Sequence, residues 1–545
     1  MFAAGSIRYE LADRTRAIAH GGIGSIHLLA RKTGLIDAID RDLQLLKVHL
    51  PYHESDHVLN IAYNILCDGD CLQDLERLRN DEAYLDALGA SRIPDPTTAG
   101  DFCRRFESAE TVHTLMEAIN TVRLGVWKQQ PEEFFERAII DADGTIAPTT
   151  GGCKGGMDIS CDGQWGYQPL VVSLANTKEA LYLLNRPANR PSHEDAAEYL
   201  ERAIVLCREA GFKSILMRGD TDFSQTAYLD GWDQLNGEAN HPRVQFLFGI
   251  DAMANLVAKA NALNESAWQK LGRPARYDVA TEPRAKPANV KQQVIEQRGF
   301  KNLRLRAEHV AEIAYRPVKC DRDYRLIITR KRIDVESAGE KLWEEYRYFF
   351  HITNVAETPA AELVLQANKR CDQENLIEQL KNGVHAMRLP VNDLVSNWAY
   401  MVMASLAWSL KAWWGLMLPD GTGRSRPTRR QQKHEVVRIE FKRFVASIIR
   451  LPCQIVRAGP RLICRLLSDS PWQEPPQAGA AAWKTRAQAL KPGNLMPGYG
   501  RFGWRQPCGR YQTIHNHRTK PTAIAGHAAP VANGIRASGD PLFKD

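Results

Sequence analysis

Two stretches of this chain place paired acids where an apolar run ends. LMRGDTDF, residues 216–223, runs from Leu216 and Met217 through Arg218 and Gly219 to Asp220 and Asp222, and RAIIDADGT runs from Ala138, Ile139 and Ile140 to Asp141 and Asp143. One such pair is accounted for by turn capping, because an aspartate at a strand end hydrogen-bonds its own turn and keeps its charge in water. Two strands that end this way ask for more. Side by side in one sheet their carboxylates meet at one edge, where mutual repulsion is costly unless a cation lies between them. The chemistry expected there is that of a divalent metal.

A later helix offers a third acid. In RCDQENLIEQLKNG, Glu374, Glu378 and Lys381 fall at i, i+4 and i+7, with Arg370 one turn before Glu374, so all four share a face. An exposed, ion-paired helix surface gives the same pattern. The order of elements favours a site: a strand ending in Asp143, a second ending in Asp220 and a helix carrying Glu374. Three such carboxylates can hold two Mg²⁺ ions about 3.5–4 Å apart for an in-line displacement at phosphorus.

The elements that must position these acids are legible from periodicity. Residues 1–130 read as a helical N-terminal domain with apolar spacing near 3.6, and in TTAGDFCRRF, Thr98 is the expected N-cap with Asp101 three residues on. Phe102 and Phe106 then share a face and turn Arg104 and Arg105 outward, which suits either DNA or solvent. From 131 to 251 short β-rich runs surround the helix HEDAAEYLERAIVLCREAG, with Tyr199, Leu200, Ala203, Ile204 and Cys207 on its inner face and Gly211 at its end. That is the pattern of a mixed α/β sheet with a crossover helix. Residues 252–345 read as a β-rich insertion, 346–420 as the second part of the core with the Glu-bearing helix, 421–470 as a basic helical segment, and 471–545, rich in Pro, Gly and Ala, as a disordered tail.

Composition excludes several classes. The 545 residues carry a net charge of +7, and twelve Lys and Arg between Gly423 and Leu467 face only Glu435 and Glu440, so that segment is the expected backbone-binding surface for a polyanion. Eleven cysteines are scattered without a paired framework and MFAAGSIRYELADRTR lacks an apolar signal core, which predicts a reduced, cytoplasmic protein without structural zinc. GGCKGG at 151–156 lacks the spacing of a phosphate-binding loop and reads as a flexible hairpin connection. Leu394–Leu418 is long enough to span a bilayer, but Ser396, Asn397 and Lys411 interrupt it; a buried core helix and no membrane partner are predicted.

DADGT, GQWGYQPLVV, NRPSHEDAA, RGDTDF and RCDQENLIEQLKNG together resemble the DDE transposases of bacterial insertion sequences, in the branch with a β-rich insertion between the second Asp and the Glu. The resemblance covers roughly residues 20–420. It implies an α/β fold with an RNase H-like mixed sheet flanked by helices, and Asp143, Asp220 and Glu374 as the catalytic, metal-binding triad. It also implies Mg²⁺ as the cofactor, two ions that Mn²⁺ can replace, and DNA cleavage and strand transfer on double-stranded transposon ends and target. A homodimer in the DNA complex is expected as well. The family's signature around its Glu is Tyr, two residues, Arg, three residues, Glu, six residues, Lys; Arg370, Glu374 and Lys381 fit it, with the two basic residues as phosphate contacts, while Ala367 stands at the Tyr position. Asp222 stands where relatives usually carry Gly. Trp165 and Tyr167 are candidates either to approach DNA near the acids or to pack in the core. The rival readings are a non-catalytic DNA-binding protein derived from a transposase and an RNase H-like nuclease.

Overall fold

The computed structural model describes residues 16–150, 152, 154–237, 242–274, 290–420, 426–458 and 461–467. Its centre is a nine-stranded mixed sheet. Five strands form one half: β1 (Ala138–Gly144), β2 (Leu170–Leu174), β3 (Glu179–Leu184), β4 (Ser214–Gly219) and β5 (Arg243–Ile250), in the order β3-β2-β1-β4-β5. β1 pairs antiparallel with β2 and β2 with β3, whereas β1–β4 and β4–β5 are parallel. Parallel neighbours need a crossover, and the helix α1 (Ala196–Ala210) supplies the one between β3 and β4, ending on Gly211 at φ +95°. Its inner face is the expected one, with Tyr199, Leu200, Ala203, Ile204 and Cys207 buried.

The β-rich insertion does not form a sheet of its own. Its strands β6 (Asn302–Tyr315), β7 (Tyr324–Ser337) and β8 (Glu340–Thr353) extend the same sheet, because Phe350–Thr353 at the end of β8 pair antiparallel with Leu247–Ile250 of β5. The first ten residues of β8 pair with β7 alone.

Strand alternation sorts side chains between the two faces. Ala138, Ile140 and Ala142 of β1 and Ile215 and Met217 of β4 enter the large core. Asp141, Asp143, Leu216 and Arg218 take the opposite face, where Leu216 joins Leu247, Val310 and Ile327 under the helix α2 (Ala360–Asn368). The helix α3 (Cys371–Glu378) comes directly after and runs into a π-helical turn, Gln379–Gly383.

The long apolar stretch is the helix α4 (Leu394–Leu416), buried on nearly every side. Three of its indoles pin it to β3 and the turn before it: Trp398 donates to the Leu183 carbonyl at 2.5 Å, Trp408 to the Lys178 carbonyl at 2.6 Å and Trp413 to Glu179 at 2.7 Å. Glu179 also accepts from Arg123 and Trp127, both at 3.0 Å, on the N-terminal helix Ala109–Trp127. Among the described residues no helix is long and apolar enough to cross a membrane.

Three local expectations are corrected. Asp95, not Thr98, caps the helix Pro96–Cys103, accepting from the Thr98 N–H at 2.9 Å with Pro96 in the first turn, where its missing N–H costs nothing. The basic segment is helical over Arg426–Arg438 and, after a break at Ile439 and Glu440, over Phe441–Ile449, but Cys453–Ala458 and Arg461–Leu466 are strands, and the former pairs with Arg16–Ile18. Lys154 and Gly155 do not hang free; the Lys154 ammonium donates to the Leu389 carbonyl and the Gly155 N–H to that of Asn392 at 2.7 Å. Residues 471–545 lie outside the described residues.

Candidate active site

The site is built on a buried ion pair. Asp141 and Arg218 are direct partners in the parallel β1–β4 register, and Arg218 donates to both Asp141 carboxylate oxygens at 2.7 Å. Burial pushes the Asp141 carboxyl up and the guanidinium opposes it. A third bond from Arg218, 2.8 Å to the Gln366 carbonyl, ties α2 to the same strand ends. Asp143 and Asp220 each lie two residues beyond this pair, so the pairing sets both acids at one level of one face. Asp141 is thus a strand clamp, and Asp143 is the acid left at the edge.

Close approaches shape the edge. A Cβ on Gly249 of β5 would stand 2.9 Å from the Thr221 nitrogen, so only glycine lets the turn after Asp220 lie against β5. Gly144 likewise receives the NRPSHED loop, its added Cβ meeting the Ser192 Cβ at 3.1 Å. Arg186 organises that loop by donating to the carbonyls of Gln168, Pro191, Ser192 and Glu194.

Glu374 arrives on α3, which is anchored by its neighbour Gln373. The buried Gln373 side chain donates to the Val171 carbonyl at 3.0 Å and accepts from the Ser173 hydroxyl, both on β2. Arg370, just before α3, then points its guanidinium among the acids: Nη1 lies 3.0 Å from Asp143 and 3.9 Å from Asp220, and Nη2 lies 3.9 Å from Glu374. Asp143 is raised to about 6, chiefly by burial, with Arg370 pulling down and Asp220 adding repulsion. Asp220 is raised by burial too, although Arg370 and the Asp222 N–H, 3.1 Å from its Oδ1, oppose the shift.

Four of the five expected residues therefore converge. Lys381 does not join them; it sits half-buried in the π-helical turn, pushed down by burial, and makes no ion pair with the three acids. Glu378, one turn beyond Glu374 on the same face, accepts from Asn382 at 2.6 Å instead. Asp222 is exposed, contributing its N–H as the donor that Asp220 caps. Ala367 packs against the apolar cluster under α2, so the Tyr position of the signature is a packing position here. Of the two aromatics, Trp165 is 53 % exposed, but Tyr167 is buried and donates to the Gly155 carbonyl at 2.8 Å, which removes it as a DNA contact.

Two groups escape a reading of the sequence alone. His351 on β8 lies near Arg370 and is pushed down to about 4 by burial, so it is neutral. Asp251, just past β5, adds negative charge near Asp220; its signal is a third apolar strand, VQFLFGI, ending in an acid.

Among the described residues no three Asp, Glu, His or Cys side chains are already drawn together closely enough for a metal ion. The acids converge on the guanidinium, and Glu374, 63 % exposed, stands off at its far side.

Residues 12–479 match the transposase DDE domain group 1 family, and the chain belongs to that family. Among solved structures, a piggyBac transposase synaptic complex with hairpin DNA is similar at 9% identity and a TM-score of 0.33, over 80% of this chain and 84% of that one. No curated protein matches the sequence.

Proposed function

We propose that this chain is the transposase of a bacterial insertion sequence and catalyses metal-dependent cleavage and strand transfer at the ends of its element, with Asp143, Asp220 and Glu374 as the catalytic acids. The observation that carries the reading is the convergence of these three carboxylates, from two strands and a helix, on the single guanidinium of Arg370. The strand order β3-β2-β1-β4-β5, with its first three strands antiparallel and the rest parallel, supports an RNase H-like core.

The donor set fits a divalent cation. Three carboxylates face one guanidinium, and burial holds Asp143 and Asp220 above the ordinary carboxylate range against the pull of Arg370, a cost that a bound cation would lower. Asp143, Asp220 and Glu374 would hold the ions, which when bound activate the attacking oxygen and neutralise charge at the scissile phosphate. The protein's own groups do the rest. The Asp141–Arg218 pair fixes the level of the two aspartates, Gln373 fixes the glutamate helix, and Arg370 binds a phosphate oxygen with a forked donor. Lys381 lies on the same helical run as a more distant phosphate contact. No nucleotide is consumed, because each strand transfer exchanges one phosphodiester for another.

Double-stranded DNA is the substrate, and the exposed Arg426, Arg430, Arg438, Lys442 and Arg443 offer it a backbone-binding face. The test is a strand-transfer assay with the DNA flanking the encoding locus, Mg²⁺ and a supercoiled target. Joined products support the proposal. Cleavage without joining identifies a nuclease, and binding without cleavage identifies a non-catalytic DNA-binding protein.

A further inference from the structure

We infer that Arg370 is an internal counter-cation that holds the catalytic carboxylates together in the metal-free protein and must be handed to a DNA phosphate before metal can load, so that DNA binding and metal binding assist each other. The inference rests on the proposed catalytic triad and adds to it a coupling between the two ligands.

Among the described residues, the acids alone partner the Arg370 side chain. Among the described residues, its guanidinium has ion-pair contacts only with Asp143, Asp220 and Glu374, its one hydrogen bond is to Asp143, and no carbonyl or neutral side chain shares it. Arg218, by contrast, has a carbonyl as well as a carboxylate, as befits a permanent clamp. His351, the nearby ring, is neutral and forms no bond with Arg370.

The backbone on either side of Arg370 is fixed. Gln366, four residues before it, is bound by Arg218, and Gln373, three residues after it, is bound to β2. The helices that carry Arg370 therefore have no freedom to withdraw it, whereas its long side chain is 18 % exposed and can swing. A divalent ion that engages the acids takes away all of the guanidinium's partners at once. Leaving a half-buried guanidinium without an anion is unfavourable, so in the absence of DNA the metal meets a competitor already in place. A phosphate beside the acids changes the balance by giving the forked donor a new bidentate anion. By linkage, whatever DNA adds to metal affinity, metal adds to DNA affinity.

Mn²⁺ binding to the full chain tests this without reference to activity, by electron paramagnetic resonance of the free ion, with and without a 30-bp duplex. Arg370→Ala is expected to bind Mn²⁺ about tenfold more tightly than wild type without DNA, since an opposite charge at this range shifts carboxylate equilibria by one or more decades. Arg370→Lys, which keeps the charge, should bind like wild type. Duplex should tighten Mn²⁺ binding in wild type and leave Arg370→Ala nearly unchanged. Circular dichroism verifies that each variant is folded, and Arg370→Gln replaces the alanine variant if that one is not. Equal or weaker Mn²⁺ binding by the folded, charge-removed variant without DNA overturns the inference. If Asp143→Asn leaves Mn²⁺ binding intact, the triad itself is misassigned, an outcome distinct from failure of the Arg370 competition.

Discussion

Replacing Arg218 with methionine isolates the clamp beneath the site. The substitution keeps a long, flexible, apolar stem but strands the buried Asp141 carboxylate, which loses two charge-assisted bonds of 2.7 Å. Bonds to charged groups contribute about 1.5–3 kcal/mol each, and breaking one side of a buried ion pair typically costs about 3–5 kcal/mol, so a loss of about 3–5 kcal/mol is expected. The Gln366 carbonyl also loses its donor, which lies inside that range. Adding Asp141→Leu to Arg218→Met removes the orphaned charge, and the double variant should recover to a deficit of about 1–2 kcal/mol, the remainder being the unsatisfied carbonyl. Urea unfolding monitored by tryptophan fluorescence measures both, with the slope of the transition checked for constancy. A single-variant loss under about 1 kcal/mol, or a double variant no better than the single one, refutes the clamp.

The same geometry sets further outcomes. Asp143→Asn should stabilise the metal-free protein at neutral pH while abolishing cleavage: a folded value of about 6 against an ordinary 3.8 means that this group favours folding below 3.8 and loses that contribution as pH rises through about 6. The gain at pH 7 is at most about 3 kcal/mol, read from thermal unfolding with and without the substitution, and wild type should lose stability between pH 4 and 6 more steeply than the variant. Glu374→Gln should lower Mg²⁺-dependent cleavage by orders of magnitude at matched DNA occupancy while Glu378→Gln costs little; the reverse pattern moves the third acid one turn along the helix. Neutralising Arg438, Lys442 and Arg443 to Gln should weaken binding to all duplexes alike and reduce the salt slope by up to about 0.9 per lost phosphate contact, and unchanged slopes remove this face from the DNA. Point substitution is the proper test there, since truncation would remove Phe441, Phe444, Ile448 and Ile449 from the core and the strand paired with Arg16–Ile18.

The acids are legible in the sequence because strand periodicity and charge are local properties: Ala138 to Ile140 and Ile215 to Met217 are apolar runs, and a carboxylate at the end of such a run is conspicuous. Partners distant in the chain leave no such mark. Nothing in DADG identifies Asp141 as the mate of Arg218, 77 residues on, or Gln373 as the anchor reaching Ser173, 200 residues back. Counting charges in 423–467 reveals a basic surface but not its backbone, so the strands there stay hidden behind the helical pattern that precedes them. Thr98 resembles a cap because TTAGD fits the capping pattern, although Pro96 in the first turn is the better signal and points to Asp95.

The α4 helix limits how this molecule can move. Its tryptophans bind β3 and the turn before it along most of the helix length, Glu179 draws in the N-terminal helix Ala109–Trp127, and Lys411 donates to the Val437 carbonyl on the C-terminal side. These segments form a single body whose amides should exchange with deuterated solvent only on global unfolding. Motion then falls to the tip of the insertion ribbon, Lys341–Glu345 of β8 with Ile333–Glu336 of β7 and Asn302–Leu305 of β6, which no core strand pairs. Protection that drops first at this tip, while α4 stays closed, would mark it as the part of the molecule free to bend.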